Sequence, residues 1–252
     1  MPGGRPLADW LRQHEAVHGT AIDLGLDRVR HVARQLGLLP FGPRTIIVAG
    51  TNGKGSTVAC LTGLLRAHGV TVGSFTSPHL LRYNERIVIN GAEAPDGLIV
   101  AAFEAIEAVR GATTLTFFEF NALAAMWIFR ERGLQFAVLE VGLGGRLDAV
   151  NIVDAEAAVV CSIGLDHRDW LGPDLESIGR EKAGVFRKDQ LVVLSDPQMT
   201  PVVEAEARRI GARLLRAGHD FQSESSGSGW RYVSGACVFE DLPLPALAGD
   251  VQ

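Results

Sequence analysis

Hydrophobic residues follow two rhythms along the chain, and the change from one to the other outlines the fold. Residues 7–18 and 26–36 carry apolar side chains at helical spacing, with Leu26, Val29, Val32, Ala33 and Leu36 on one face. A polar and glycine-containing turn, Ile22-Asp23-Leu24-Gly25, separates them. From residue 45 the chain alternates short continuous apolar runs with longer amphipathic stretches. The runs predict strands at 45–49, 70–75, 136–141, 157–163 and 191–194, and the stretches predict helices at 54–68 and 202–210. Runs this continuous belong to strands covered on both faces, as in a mostly parallel α/β sheet. Between the second and third runs the sequence predicts a short strand pair near 86–89 that turns at Asn90-Gly91. Two helices follow, over 96–109 and 116–132, with Asp96 and Thr114 as N-caps. From Gly218 the segments become short and alternating, at 230–233 and 237–239, which predicts a small antiparallel meander. The expected division is therefore 1–217 and 218–246. No internal repeat occurs, and the only low-complexity tract is 223–229. Residues 247–252 offer neither a capped element nor a polar tail, so the chain reads as cut rather than finished.

Composition narrows the class without changing this picture. With 252 residues, 47% of them hydrophobic and 21% charged, the chain can bury a sizeable core. A net charge of −5 with interspersed acids and bases argues against a nucleic-acid partner. Cys60, Cys161 and Cys237 are widely spaced, which suits a reducing compartment and neither a disulfide framework nor a metal cluster. They are expected as buried or neutral thiols. No stretch approaches the roughly 18 apolar residues of a bilayer span, so no membrane partner and a cytoplasmic location are expected.

The chemistry begins where the first strand ends. Ile46 to Ala49 run into Gly50-Thr51-Asn52-Gly53-Lys54-Gly55-Ser56-Thr57, a glycine-rich turn with one lysine that opens a helix. Such a turn points backbone N–H groups and a helix dipole inward, a cradle for nucleotide phosphates, and Lys54 supplies a mobile charge. The P-loop pattern fits imperfectly: Val48 stands where it places its first glycine, and Gly55 where it places a hydroxyl.

Ligands of doubly wound sheets sit beyond the carboxyl ends of the strands, so the residues after each apolar run are informative. They are the Lys54 loop, then Thr76-Ser77-Pro78-His79, then Glu140 with a glycine-rich turn ending in Leu147-Asp148, and then Asp166-His167. A serine oxygen, a carboxylate and a histidine nitrogen are a workable set for magnesium on nucleotide phosphates. Each has a plainer reading: Ser77 as a turn residue, Glu140 as an ion-pair partner, His167 as a surface histidine, Asp148 as a brace. Lys182, on a predicted helix near Arg180, reads by itself as a solvated lysine.

Together, the segment from Gly50 to Ser56, Ser77-Pro78-His79-Leu80, Leu139-Glu140-Val141-Gly142-Leu143-Gly144-Gly145-Arg146-Leu147-Asp148-Ala149, Asp166-His167 and Glu181-Lys182-Ala183-Gly184 resemble the folylpolyglutamate synthase family. That family is related to the Mur ligases. Ile22-Asp23-Leu24-Gly25-Leu26 and Asp169-Trp170-Leu171-Gly172-Pro173 resemble its bifunctional bacterial branch, which combines dihydrofolate synthase with folylpolyglutamate synthase. The resemblance covers essentially the whole chain. It implies a P-loop three-layer sandwich of the Mur ligase central-domain type, a monomer, and ATP-dependent amide formation through an acyl phosphate. Catalytic roles are implied for Lys54, Glu140, His167 and Lys182.

By the same resemblance Thr51, Asn52, Gly53, Lys54, Gly55 and Ser56 hold ATP, while Ser77, Glu140 and His167 bind magnesium. Lys182 would carry a carbamate that binds a second magnesium. Ile22, Asp23, Leu24, Thr116, Phe117, Phe118, Glu119, Leu147, Asp148 and Ala149 would form the dihydropteroate site, with Phe118 as an aromatic face and Asp148 as an acceptor. The implied substrates are 7,8-dihydropteroate, reduced folates and L-glutamate. Two departures stand out. Val150 precedes Asn151 where the family usually has threonine, and the family's second, Rossmann-like glutamate-ligase domain is absent from these residues. From the loop alone a small-molecule kinase, or a fragment that binds nucleotide or pterin without turnover, remains an alternative.

Overall fold

The computed structural model describes residues 5–17, 22–197, 199, 201–225, 229–235 and 237–244. Helices α1 (Leu7–Val17) and α2 (Asp27–Gln35) come first, followed by β1 (Arg44–Ala49), α3 (Lys54–Ala67) and β2 (Val72–Phe75). A 3-10 turn (Tyr83–Arg86) leads into β3 (Ile87–Ile89) and β4 (Ala92–Glu93), joined through Asn90 and Gly91, both at positive φ. Then come α4 (Asp96–Arg110), α5 (Phe117–Glu131), β5 (Phe136–Glu140), β6 (Ala157–Val160), α6 (Arg168–Leu171) and α7 (Leu175–Ala183). The alternation ends with β7 (Leu191–Leu194), α8 (Pro201–Ile210) and β8 (Arg213–Arg216). Strands β9 (Gln222–Ser225), β10 (Gly229–Ser234) and β11 (Cys237–Pro243) form a separate antiparallel sheet.

The main sheet has eight strands in the order β4-β3-β2-β5-β1-β6-β7-β8. From β2 to β8 every pairing is parallel, and β3 and β4 add an antiparallel edge. Period-two alternation splits its side chains between two cores. Ile47, Ala49, Ala137, Leu139, Ala158 and Val160 face a large cluster that includes residues of α1, α2, α4, α5 and α8. Val48, Val72, Val138 and Val159 face the other way, onto Val58 of α3. Each such valine contributes about 1.5–3 kcal/mol when fully buried. The result is a three-layer α/β sandwich with the small antiparallel sheet after it.

Several local expectations are corrected. Pro95, not Asp96, occupies the N-cap of α4, because the Asp96 carboxylate accepts a hydrogen bond from Asn84 Nδ2 at 2.8 Å. Thr116, not Thr114, caps α5: Thr116 Oγ1 accepts from Glu119 N at 3.2 Å, and Glu119 Oε2 accepts from Thr116 N at 2.7 Å. β6 stops at Val160 rather than 163, since the next residues turn to brace the loop after β1. β8 was not expected, and of the three free cysteines Cys60 and Cys237 are exposed, so burial does not hold for them. Among the described residues no helix is long and apolar enough to cross a membrane. His18, residues 226–228 of the low-complexity tract, residues 245–246 of the expected meander, and the tail at 247–252 lie outside the described residues.

Candidate functional site

The four strands whose ends carry the candidate residues are adjacent, in the order β2-β5-β1-β6. Parallel neighbours about 4.8 Å apart must end on one edge, so Ser77, Glu140, the Lys54 loop and the Asp166-His167 segment leave the sheet side by side. Glu140 lies in register with Val48, directly beside the cradle.

The cradle itself is tightly braced. Gly53 is the N-cap of α3 in the left-handed region (φ 81°), which a residue with a side chain adopts only with strain. Thr51 N donates to Ser162 O at 2.9 Å, Asn52 N donates to Ser162 Oγ at 2.9 Å, and Gly164 N donates to Thr51 Oγ1 at 2.9 Å. Lys54 Nζ folds back to donate to Gly50 O and Thr51 O at 3.1 and 3.3 Å, leaving one donor uncommitted. Thr57 Oγ1 contacts Cys161 Sγ at 3.2 Å.

Glu140 is 4% exposed, and its Oε2 accepts a hydrogen bond from Ser77 N at 3.1 Å. Burial pushes its carboxyl above the usual range, against the opposing pull of that N–H, Lys54 and Arg86. Lys182 is 5% exposed and donates to Gly50 O at 3.0 Å, so two lysines share one carbonyl oxygen. Burial first and Lys54 second bring the Lys182 amine down to about 8. α7 holds it in place through Arg146, whose N donates to Glu181 O and whose guanidinium pairs with Glu181 at 2.7 Å.

Beside the cradle lies a cavity of about 280 Å³, near the lower end of the ~300–1,000 Å³ typical of small-molecule sites. Ile22, Leu24, Phe118, Leu147 and Ala149 supply apolar wall, and Asp23, Thr116, Glu119 and Asp148 supply polar atoms. Ser77 and His167 line it as well, so this space meets the strand-end cluster. Thr116 and Glu119 are occupied by the α5 capping box, and Arg28 ties Glu119 at 3.0 Å to Asp23 at 2.6 Å. Asp148 accepts from Gly142 N, Leu143 N and Val150 N, which makes it a brace of the glycine-rich turn. Burial nevertheless raises its carboxyl to about 6.

Phe117 does not line the cavity. One helical step turns it away from Phe118 toward Tyr83, at 6.3 Å between ring centroids, and toward the Arg86 guanidinium. His167 has a positive φ of 47° and a half-exposed ring 3.6 Å from Asp166. Sequence reasoning missed Arg86, Arg28 and Ser162; acidic partners could have drawn attention to Arg28, while Arg86 is marked only by ring contacts that the fold brings together.

These features define an α/β domain with a braced glycine-rich loop at the strand ends and an adjoining small-molecule-sized pocket. Residues 48–234 match the Mur ligase middle domain, and the chain belongs to the Mur ligase family. It is 48% identical over 242 residues to the dihydrofolate synthase/folylpolyglutamate synthase of Escherichia coli K12, covering 96% of this chain and 57% of that protein. The structure of E. coli FolC in complex with DHPP and ADP superposes with a TM-score of 0.94 at 47% identity, covering 97% of this chain and 59% of that one. The Yersinia pestis bifunctional folylpolyglutamate synthase/dihydrofolate synthase complexed with AMPPNP and Mn superposes at 0.91 with 47% identity, covering 97% and 59%. The chain thus spans somewhat over half the length of these relatives.

Proposed function

We propose that this chain is the ATP- and pterin-binding part of an amide ligase that joins L-glutamate to 7,8-dihydropteroate and to the γ-carboxylate of reduced folates. The observation that carries this reading is the meeting of Lys54, Glu140, Ser77 and Lys182 at one rim with a largely apolar cavity that shares Ser77 and His167. The relatives support it: E. coli FolC binds ADP and DHPP, and the Y. pestis enzyme binds AMPPNP and Mn.

In this mechanism the pterin occupies the cavity and its carboxylate faces the γ-phosphate of ATP. A carboxylate oxygen attacks the γ-phosphorus as the bond to the β–γ bridging oxygen breaks, giving an acyl phosphate and ADP. The amine of glutamate then attacks the acyl carbon, and inorganic phosphate leaves with the electron pair of the C–O bond. The Gly50–Ser56 backbone orients the triphosphate, and Lys54 turns its uncommitted donor to the transferred phosphoryl group.

Ser77, Glu140 and His167 suit magnesium, since Glu140 offers a buried carboxylate with one hydrogen bond, and that ion takes few protein ligands among waters and phosphates. Among the described residues no three His, Cys, Asp or Glu side chains cluster, so nucleotide phosphates and waters would have to supply the remaining ligands of such a site. When bound, the ion would offset negative charge on the nucleotide phosphates. Lys182 as an ammonium has no lone pair to offer; as a carbamate it would hold a second ion.

Residues 1–217 form the nucleotide and pterin domain in this reading, and 218–246 a small meander attached to it. Glutamate capture belongs to a domain outside these 252 residues, so the chain alone binds without completing the transfer. The cytoplasm is the proposed location, in keeping with exposed unpaired thiols at Cys60 and Cys237.

A coupled ADP assay with 7,8-dihydropteroate and with tetrahydrofolate, each with and without glutamate, tests the scheme in the longer parent protein and in this chain. Glutamate-dependent ADP release with amide product is expected of the parent alone. ADP with a stable phosphorylated product and no amide would establish a kinase. Glutamate-dependent turnover by this chain would overturn the division of labour.

A further inference from the structure

Arg86 is the one lysine or arginine among the residues lining the 280 Å³ cavity, and it is only 8% exposed. The cavity's acids are already satisfied: Asp23 and Glu119 pair with Arg28, and Asp148 is held by three backbone N–H groups. His167 has Asp166 beside it. Arg86 makes no ion pair with any described residue. Its Nε donates to His79 Nδ1 at 2.8 Å, and its guanidinium lies 5.4 Å from the Phe117 ring centroid and 5.9 Å from that of Tyr83. Tyr83 is itself fixed by donating to Asn121 Oδ1 at 2.8 Å.

Glu140 attracts the Arg86 guanidinium only from beyond ion-pair distance, so a buried cation with no anion in contact remains costly, and the flanking rings offset only part of that cost. What the three neighbours accomplish is orientation. The Nε bond and the two rings hold the guanidinium plane, which leaves its terminal N–H groups for a fork-shaped contact with an incoming anion. The phosphate cradle has its own cations, Lys54 and Lys182, both bonded to Gly50 O on the far side of Glu140's strand. Arg86 instead lies within the β2–β3 connection, immediately before β3 and beside the Thr76-Ser77 segment, where Thr76 N donates to Arg86 O at 3.0 Å.

We propose that the Arg86 guanidinium receives the carboxylate of the pterin substrate at the Ser77 end of the cavity, with the ring system against Phe118 and Leu147. This rests on the ligase reading above. The reaction has to bring a carboxylate against a triphosphate, two anions that repel, and a fixed cation on the carboxylate side reduces that repulsion while setting the direction of approach.

The test compares two ligands on the 252-residue chain by calorimetry: 7,8-dihydropteroate, and the matched 6-(anilinomethyl)-7,8-dihydropterin that lacks the carboxylate. The wild type should prefer dihydropteroate. In Arg86→Gln that preference should fall about 10- to 100-fold, the loss of a charge-assisted contact, with the carboxylate-free ligand binding as before. Arg86→Lys, which keeps the charge without the fork, should retain part of the preference and guards against misfolding of the glutamine variant. An equal loss for both ligands in folded variants would assign Arg86 to bracing Phe117 and Tyr83, and would overturn this proposal while leaving the ligase reading intact. Failure of the wild type to bind either ligand would overturn the ligase reading and this proposal together.

Discussion

The depressed amine of Lys182 yields a prediction with a definite sign. At a pKa of about 8 it is roughly one quarter neutral at pH 7.5, whereas a solvated lysine near 10.4 is neutral about once in a thousand, so burial raises the reactive fraction roughly 200-fold. A neutral amine adds carbon dioxide and releases one proton to become a carbamate. The same shift has a thermodynamic face. Because the folded pKa lies below the unfolded one, the unfolded chain binds the extra proton between about pH 8 and 10.5; stability rises with pH across that window, and below it the buried ammonium costs about 3 kcal/mol. Lys182→Met loses the bond to Gly50 O, worth about 1 kcal/mol, yet removes the greater cost of the buried charge. At pH 7 without bicarbonate it should therefore melt about 4–8 °C above the wild type. With 13C-bicarbonate, carbon NMR at pH 8.5 should detect a protein carbamate in the wild type and none in Lys182→Met. A variant that melts lower at pH 7, together with no Lys182-dependent carbamate signal, would refute the reasoning.

Gly145 lies against α7 so closely that a Cβ would come 2.8 Å from Glu181 O and 2.9 Å from Lys182 O; Gly145→Ala should cost about 1–3 kcal/mol in a urea titration and shift α7 with its lysine. His14 sits among Trp10, Phe103 and Phe120, with Glu107 and Arg110 of α4 facing it, and burial, Arg110 and Arg5 lower it to about 4. Its neutral form thus contributes about 3 kcal/mol that is present above pH 6.5 and lost as pH falls toward 4, and His14→Leu should flatten that dependence of the urea midpoint; an unchanged slope would count against it. Lys54→Ala and Glu140→Ala in the parent protein should each lower ADP formation at least ~100-fold with stability within about 1–2 kcal/mol of wild type, and near-normal turnover in either would contradict the site.

The parts of this architecture that were legible in the sequence are those where a single physical demand acts alone. β1, β5 and β6 are covered on both faces, and their apolar runs say so directly. β8 escaped because it is an edge strand whose ends are Arg213 and Arg216, so its pattern of exposure matches that of a loop. The sequence offers both Thr114 and Thr116 ahead of α5, and the reciprocal bonds of Thr116 with Glu119, at capping-box spacing, decide for Thr116. Arg86 was invisible for a different reason. An arginine in a polar hairpin reads as solvated, and only the stacking of Phe117 and Tyr83, brought together by α5 and the 3-10 turn, makes it a buried cation. Asp148 was legible both as a pterin acceptor and as a brace of the glycine-rich turn, and the three backbone donors that converge on it bear out the brace.

Convergence of charge explains why the two lysines are placed as they are. Lys54 and Lys182 donate to the same Gly50 oxygen, so their ammonium groups are no more than about 6 Å apart. At an effective dielectric of ~20 the repulsion at that separation is about 3 kcal/mol, and larger if they are closer. Glu140 on the neighbouring strand relieves it only partly, because burial works against its own ionisation. In the proposed reading two events would remove the conflict. A triphosphate entering the cradle would supply negative charge to both lysines, and loss of the Lys182 proton followed by carbamate formation would replace a like charge beside Lys54 with an opposite one. Both events act on one local arrangement, so nucleotide binding and the charge state of Lys182 are linked by necessity: a polyanion favours the protonated lysine, and a carbamate favours a cation between itself and the phosphates. Under the proposed ligase reading, a divalent ion would let a carbamate at Lys182 and a triphosphate coexist, which would give a buried lysine a use where a simple phosphate clamp needs only one.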